Sequence, residues 1–123
     1  MTEGGVREVR WAPNCRKTLR GFPQEVRWSF GRALHQAQKG IWPRTATPMR
    51  GRMRGVIELS ENDPAGTYRV YFTEKCPDVI YVLYCHMKKS RQGAKISRHE
   101  QDLIVQRLKD AVLDRRENEG DLG

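Results

Sequence analysis

Between Pro23 and Gly40 the apolar residues Val26, Phe30, Ala33, Leu34 and Ala37 recur at helical spacing, while Arg27, Arg32, Gln36 and Lys39 fall elsewhere. This pattern predicts an amphipathic helix lying on a flat surface, with Pro23 suited to its first turn and Gly40 to its end. Upstream, residues 6–11 read as a short strand. Residues 15–20 read as a short helix capped from Pro13-Asn14 and stopped by Gly21. Downstream the period changes. Residues 56–60, 67–73 and 79–87 read as three strands, separated by turn clusters at 62–66 and 75–78. The last of these is apolar almost throughout, which predicts a central strand covered on both faces. Ser97-Arg98-His99-Glu100 has the form of a capping box, and Ile104, Leu108, Ala111 and Val112 follow as one stripe. A third helix is therefore expected from about 98 to 116, with a polar tail that frays from about 117. The resulting order is β-α-α-β-β-β-α. Helices on one face of a small, mostly antiparallel sheet make an α+β domain, and residues 1–123 are expected to form a single one.

Charge adds direction to this picture. The net charge is +8, and it is unevenly placed: residues 1–55 carry 12 bases and 3 acids. The stretch 41–55 contains Arg44, Arg50, Arg52 and Arg54 and no acid, and no acid occurs from Val79 to His99. A connection as long as 41–55 is usually functional, and a small basic domain most often meets a polyanion such as nucleic acid or the ribosome. No apolar run is long enough to span a bilayer, residues 1–10 lack a signal core, and no helix pairs a basic face with an aromatic apolar one. Three cysteines fit a reducing cytoplasm better than a disulfide framework. No Cys-x-x-Cys or His-x3-His pair suggests zinc, and no Gly-rich loop suggests a nucleotide. Neither metal nor cofactor is expected, and the cysteines read as small buried hydrophobes.

The strands hold the candidate chemistry. Alternation places Tyr84, His86 and Lys88 on one face of their strand, with Cys85, Met87 and Lys89 on the other. In the preceding strand Arg69, Tyr71 and Thr73 share a face, so Arg69 interrupts an apolar run. A mid-sheet arginine needs a carboxylate or phosphate partner. Glu58 on the neighbouring strand can supply a cross-strand ion pair. Arg69 can also bind phosphate, with Glu58 or a lysine as base, and the two roles are compatible. His86 reads either as a packed core histidine or as a direct participant.

The chain resembles the HigB-like, phage-derived branch of the RelE/ParE toxin superfamily over residues 6–113. The resemblance rests on ordered pieces: Trp11, then Arg16-Lys17-Thr18-Leu19-Arg20-Gly21-Phe22-Pro23; Gly55-Val56-Ile57-Glu58-Leu59; Thr67-Tyr68-Arg69-Val70; Tyr81-Val82-Leu83; Lys88-Lys89-Ser90; and Glu100, Asp102-Leu103-Ile104 and Arg107-Leu108. It implies a RelE-like fold and a cytoplasmic toxin of a type II toxin–antitoxin pair. Such a toxin cleaves mRNA in the ribosomal decoding site without metal, the message's own 2′-hydroxyl attacking the adjacent phosphate. It is neutralised by an antitoxin expected to carry a helix-turn-helix domain. Arg69 falls at the family's phosphate-contacting arginine, Lys88 and Lys89 at its Lys-Lys-Ser motif, and Glu58 at its second-strand glutamate. Relatives typically show His at the place of Tyr84, Phe at that of His86 and Gln at that of Met87. Tyr84 and His86 therefore join the candidate catalytic set on this chain's own terms. Arg50, Arg52, Arg54, Arg91 and Lys95 are expected to contact ribosomal and messenger RNA phosphates. Two rival readings use the same fold or charge: a gyrase inhibitor without nuclease chemistry, and a non-toxic nucleic-acid-binding accessory protein.

Overall fold

A computed structural model describes residues 6–89 and 95–122, with the side chains of the last helix described as far as Asp114. The elements are β1 (Glu8–Trp11), α1 (Cys15–Arg20), α2 (Gln24–Gln38), β2 (Ala46–Pro48), a 3-10 turn (Gly51–Met53), β3 (Ile57–Asp63), β4 (Gly66–Thr73), β5 (Val79–Lys88) and α3 (Arg98–Leu122). They form one five-stranded sheet in the order β1-β5-β4-β3-β2. β1 runs parallel to β5 and every other neighbouring pair is antiparallel. The domain is α+β, as the pattern predicts.

Four details depart from the sequence expectation. The stretch 41–55 is not a plain loop: Ala46–Pro48 pairs with β3 at the sheet edge. There Pro48, which has no N–H, is tolerated. β3 runs on to Asp63, so the turn shrinks to Pro64 and Ala65, and the Asp63 carboxylate accepts from the amides of Ala65 (2.8 Å) and Gly66 (3.1 Å). Asn14 sits at the start of α1 with φ 69° and makes no side-chain cap. Asparagine tolerates that left-handed conformation better than most residues. α3 continues to Leu122 rather than ending near 116; Arg115, Arg116, Glu117 and Glu119 are all good helix formers.

The helices also cover both faces of the sheet, not one. α1 and α2 bury Cys15, Phe22, Val26, Phe30, Ala33, Leu34 and Ala37 against Ile57, Leu59, Val70, Phe72, Ile80, Val82 and Cys85. On the other side α3 lays Ile104, Leu108 and Ala111 over Tyr71, Val79, Tyr81 and Leu83, with Met53 of the 3-10 turn alongside. Strands apolar on both faces need two covers. β5, between β1 and β4, is buried on both sides as expected.

Strict alternation along β5 would send Leu83 and Tyr84 to opposite faces. Instead Tyr71 pairs with Tyr84 and Phe72 with Val82, leaving Leu83 as an extra residue. Such a bulge shifts the side-chain phase by one. Arg107 donates to the Leu83 carbonyl at 2.9 Å, supplying the bulge with a partner from α3. Among the described residues, no helix is long and apolar enough to cross a membrane.

Phe30 is fully buried under α2, whereas Trp28 on the same helix is 61% exposed. Phe30→Ala should cost about 3–5 kcal/mol in urea unfolding. Trp28→Ala should stay within about 0.5 kcal/mol. Equal costs would contradict the orientation of α2.

Candidate active site

α3 covers only part of its face of the sheet. Its first turn ends over a strip formed by Glu58 of β3, Arg69 of β4, and Tyr84, His86 and Lys88 of β5. Register creates this strip. Arg69 stands directly opposite His86 across the β4–β5 ladder, and Glu58 stands opposite Tyr71 across β3–β4. The bulge at Leu83 sets Tyr84, His86 and Lys88 on the α3 face, while Cys85 packs into the core beneath α1 and α2.

Two carboxylates organise the strip. Glu58 Oε2 accepts from Arg69 Nη1 at 2.8 Å and from the Tyr71 hydroxyl at 3.0 Å. The predicted cross-strand pair therefore exists. Burial works against the Arg69 cation, but Glu58 outweighs it and holds the pKa above the ordinary value. Burial, reinforced by Glu58, keeps Tyr71 a neutral donor. The second carboxylate is Glu100, from the first turn of α3. Its Oε1 accepts from Lys88 Nζ at 3.2 Å and from the Ser97 amide at 3.0 Å, and its Oε2 accepts from the Tyr84 hydroxyl at 2.9 Å. Ser97 Oγ accepts in turn from the Glu100 amide at 3.1 Å, completing the capping box. Burial alone would raise the Glu100 carboxyl, but the Ser97 amide and hydroxyl, Tyr84 and Lys88 together hold it at about 2. Burial and the Glu100 charge push the Tyr84 phenol up to about 12.

His86 is the most enclosed polar group of the strip, at 7% exposed. Burial pushes its imidazole below the ordinary value, and Lys88 and Arg69 add to the shift while Glu100 opposes it. The ring is therefore neutral at pH 7. Its Nδ1 lies 3.1 Å from Glu100 Oε2 but outside hydrogen-bond geometry. Neither ring nitrogen has a hydrogen-bond partner among the described residues, and neither does Arg69 Nε. Arg69 Nε offers a donor, and the neutral His86 ring one donor and one acceptor nitrogen, so the facing pair can both give and take a proton.

Of the catalytic candidates, the structure brings together Glu58, Arg69, Tyr84, His86 and Lys88. Lys89 stands apart: it is exposed, and its backbone packs against Gly66, where a Cβ would come within 2.1 Å of the Lys88 carbonyl oxygen. Among the RNA-binding candidates, Arg50, Arg54 and Lys95 are exposed. Arg52 is committed elsewhere, pairing with Asp102 and donating to Gln101 on α3 at 3.4 Å. Arg91 lies outside the described residues. Sequence reasoning passed over two members, Tyr71 and Glu100. Tyr71 is hidden in an apolar run, and Glu100 stands in the sequence as a helix-start signal and a family-motif residue without an assigned site role.

Glu100 links this geometry to acid stability. A carboxyl held at about 2 against an ordinary 4.5 stabilises the folded state fully above pH 4.5, and that contribution disappears as pH falls towards 2. Glu100→Gln should therefore lower stability at pH 7, and the gap to wild type should close between about pH 5 and 2 in urea titrations. A gap that does not change with pH would contradict the assignment.

Residues 17–109 match the family described as phage derived protein Gp49-like. No curated protein matches the chain in sequence. Among solved structures, a chain of the toxin–antitoxin complex RelBE2 from Mycobacterium tuberculosis is similar, with 14% identity and a TM-score of 0.48, covering 68% of this chain and 100% of that one. Because the family match spans most of the sequence, the chain belongs to the phage-derived Gp49-like family, in keeping with the HigB-like resemblance of its motifs.

Proposed function

We propose that this protein is the toxin of a type II toxin–antitoxin pair, a ribosome-dependent endonuclease that cuts mRNA and halts translation. One observation carries this reading. Among the described residues, Arg69 Nε and both ring nitrogens of His86 are buried without hydrogen-bond partners and face each other across β4–β5, with the Lys88 ammonium one pleat further along. An edge that joins an arginine and a lysine to an imidazole able to take a proton suits a phosphodiester. A pure gyrase binder would have no use for it.

The chemistry follows from the groups present. The 2′-hydroxyl of the message attacks the adjacent phosphate, its proton passing to a base, and the 5′-oxygen leaves with a proton from an acid. Neutral His86 takes the first proton. The imidazolium so formed is stabilised by Glu100, 3.1 Å from Nδ1. Arg69, aimed by Glu58, and Lys88, aimed by Glu100, meet the charge that grows on the phosphate oxygens. Lys88 also stands as the proton donor to the leaving oxygen. Tyr84 keeps its proton and fixes the Glu100 carboxylate. Exposed Arg50, Arg54, Lys89 and Lys95 would contact RNA phosphates on the ribosome, and an antitoxin with a helix-turn-helix domain would neutralise the toxin in the cytoplasm.

Inducible expression followed by mapping of mRNA 5′ ends tests the reading. Wild type should arrest growth and create new 5′ ends. Arg69→Ala should stay folded yet cleave ~30- to 1000-fold more slowly, the usual consequence of losing one charge-assisted contact in the transition state. Full toxicity of Arg69→Ala would remove it from the site, and unfolding would leave it only the ion-pair role. For His86 the sign is set by its depressed pKa. Cleavage should rise with pH to a midpoint below 6.5 and stay level above it, and His86→Phe should slow it ~100-fold or more. A level profile with a fully active His86→Phe would make His86 packing. Neutralising Arg50 and Arg54 together should flatten the salt dependence of ribosome binding. An unchanged slope would place the contact surface elsewhere.

A further inference from the structure

Two thiols that the proposed cleavage does not use lie directly behind the strip. Cys15 opens α1, and Cys85 sits in β5 between Tyr84 and His86. They are 2% and 5% exposed and line a common cavity of about 230 Å³, whose rim includes exposed Pro13 and Asn14. Both belong to the core packed between α1, α2 and the sheet. Arg107, anchored on the Leu83 carbonyl, places Nη1 3.9 Å from Cys15 Sγ.

Arg107, held on the bulge carbonyl, brings a guanidinium to one of the two thiols. A cation beside one of two thiols that share a cavity favours ionisation of that thiol and leaves the other as its resolving partner. Cys15 is the one so placed: the neighbouring Cys85 thiol, and then Arg107, pull its pKa below the ordinary thiol value, while Cys85 is pushed up. Cys76, also buried, belongs to the separate cluster under α3.

We propose that Cys15 and Cys85 form a peroxide-oxidised dithiol whose disulfide ties α1 to β5 beneath the candidate active site. The Cys15 thiolate attacks one oxygen of hydrogen peroxide. The O–O bond breaks, leaving a sulfenic acid on Cys15 and a hydroxide that takes up a proton to become water. The Cys85 sulfur then attacks Cys15 Sγ, loses its proton, and displaces the hydroxyl as a second water. Two thiols lose two protons and two electrons, and one peroxide is reduced to two waters. The new bond lands between Tyr84 and His86 and replaces the Arg107–thiolate contact, so the oxidised protein should cleave more slowly. That consequence rests on the proposed nuclease activity; the linkage does not.

The test treats the reduced full chain with hydrogen peroxide, blocks free thiols under denaturing conditions, and maps peptides by mass spectrometry. A Cys15–Cys85 linked peptide lighter by two hydrogens is expected, with Cys76 still alkylated. In Cys85→Ser, or in Cys85→Ala if the serine does not fold, oxidation should stop at a sulfenic acid on Cys15 that dimedone traps. Thiols that all remain alkylatable, or oxidation that favours Cys76, would overturn the dithiol. Cleavage by the oxidised protein should fall at least tenfold and return with dithiothreitol. Equal cleavage by oxidised and reduced protein would overturn the coupling to the site. Reduced protein that cuts no mRNA would instead contradict the nuclease reading and leave the mapping result intact.

Discussion

The extra residue at Leu83 fixes what the sheet presents on its α3 face. Before the bulge, Val79, Tyr81 and Leu83 point towards α3 and complete an apolar core. After it, Tyr84, His86 and Lys88 point the same way and carry polar chemistry past the end of that core. Unbroken alternation would place these two sets on opposite faces, and the site would lose either its floor or its functional groups. The bulge carbonyl is held by Arg107 from α3, so the helix that covers the core also secures the phase change. Bulges of this kind are common beside active sites, where they re-aim side chains.

The strip then depends on paired charge. Two carboxylates, Glu58 and Glu100, each hold a cation and a tyrosine hydroxyl. This keeps Arg69 charged and orients both cations without taking up all their donors. Among the described residues, Arg69 Nε and the His86 ring have no hydrogen-bond partner, in a half-enclosed space where an anion would be held more strongly than in water.

Much of this was readable in the sequence, and for physical reasons. The stripe Val26, Phe30, Ala33, Leu34 and Ala37 could bury only as a helix, and it does. The capping box at Ser97–Glu100 located the start of α3. Arg69 in an apolar strand demanded Glu58 and found it. Other features left no one-dimensional trace. Nothing in Val82-Leu83-Tyr84-Cys85 marks a bulge, because every residue there suits a buried strand. The second cover over the sheet was missed because alternation shows that a face is apolar without naming what packs on it. Glu100 serves the helix cap and the site with the same carboxylate, and only the cap has a sequence signature. Arg52 looked free in an acid-free loop, yet its partner Asp102 lies in a distant helix.

The account is tested most directly by the chemistry of the cut end. Purified protein, ribosomes and a programmed mRNA should yield an upstream fragment ending in a 2′,3′-cyclic phosphate and a downstream fragment with a free 5′-hydroxyl. A single 2′-deoxy substitution at the scissile nucleotide should abolish cleavage at that position. Cleavage that survives the substitution, or translation arrest with intact message, would contradict the strip as a site of 2′-hydroxyl attack.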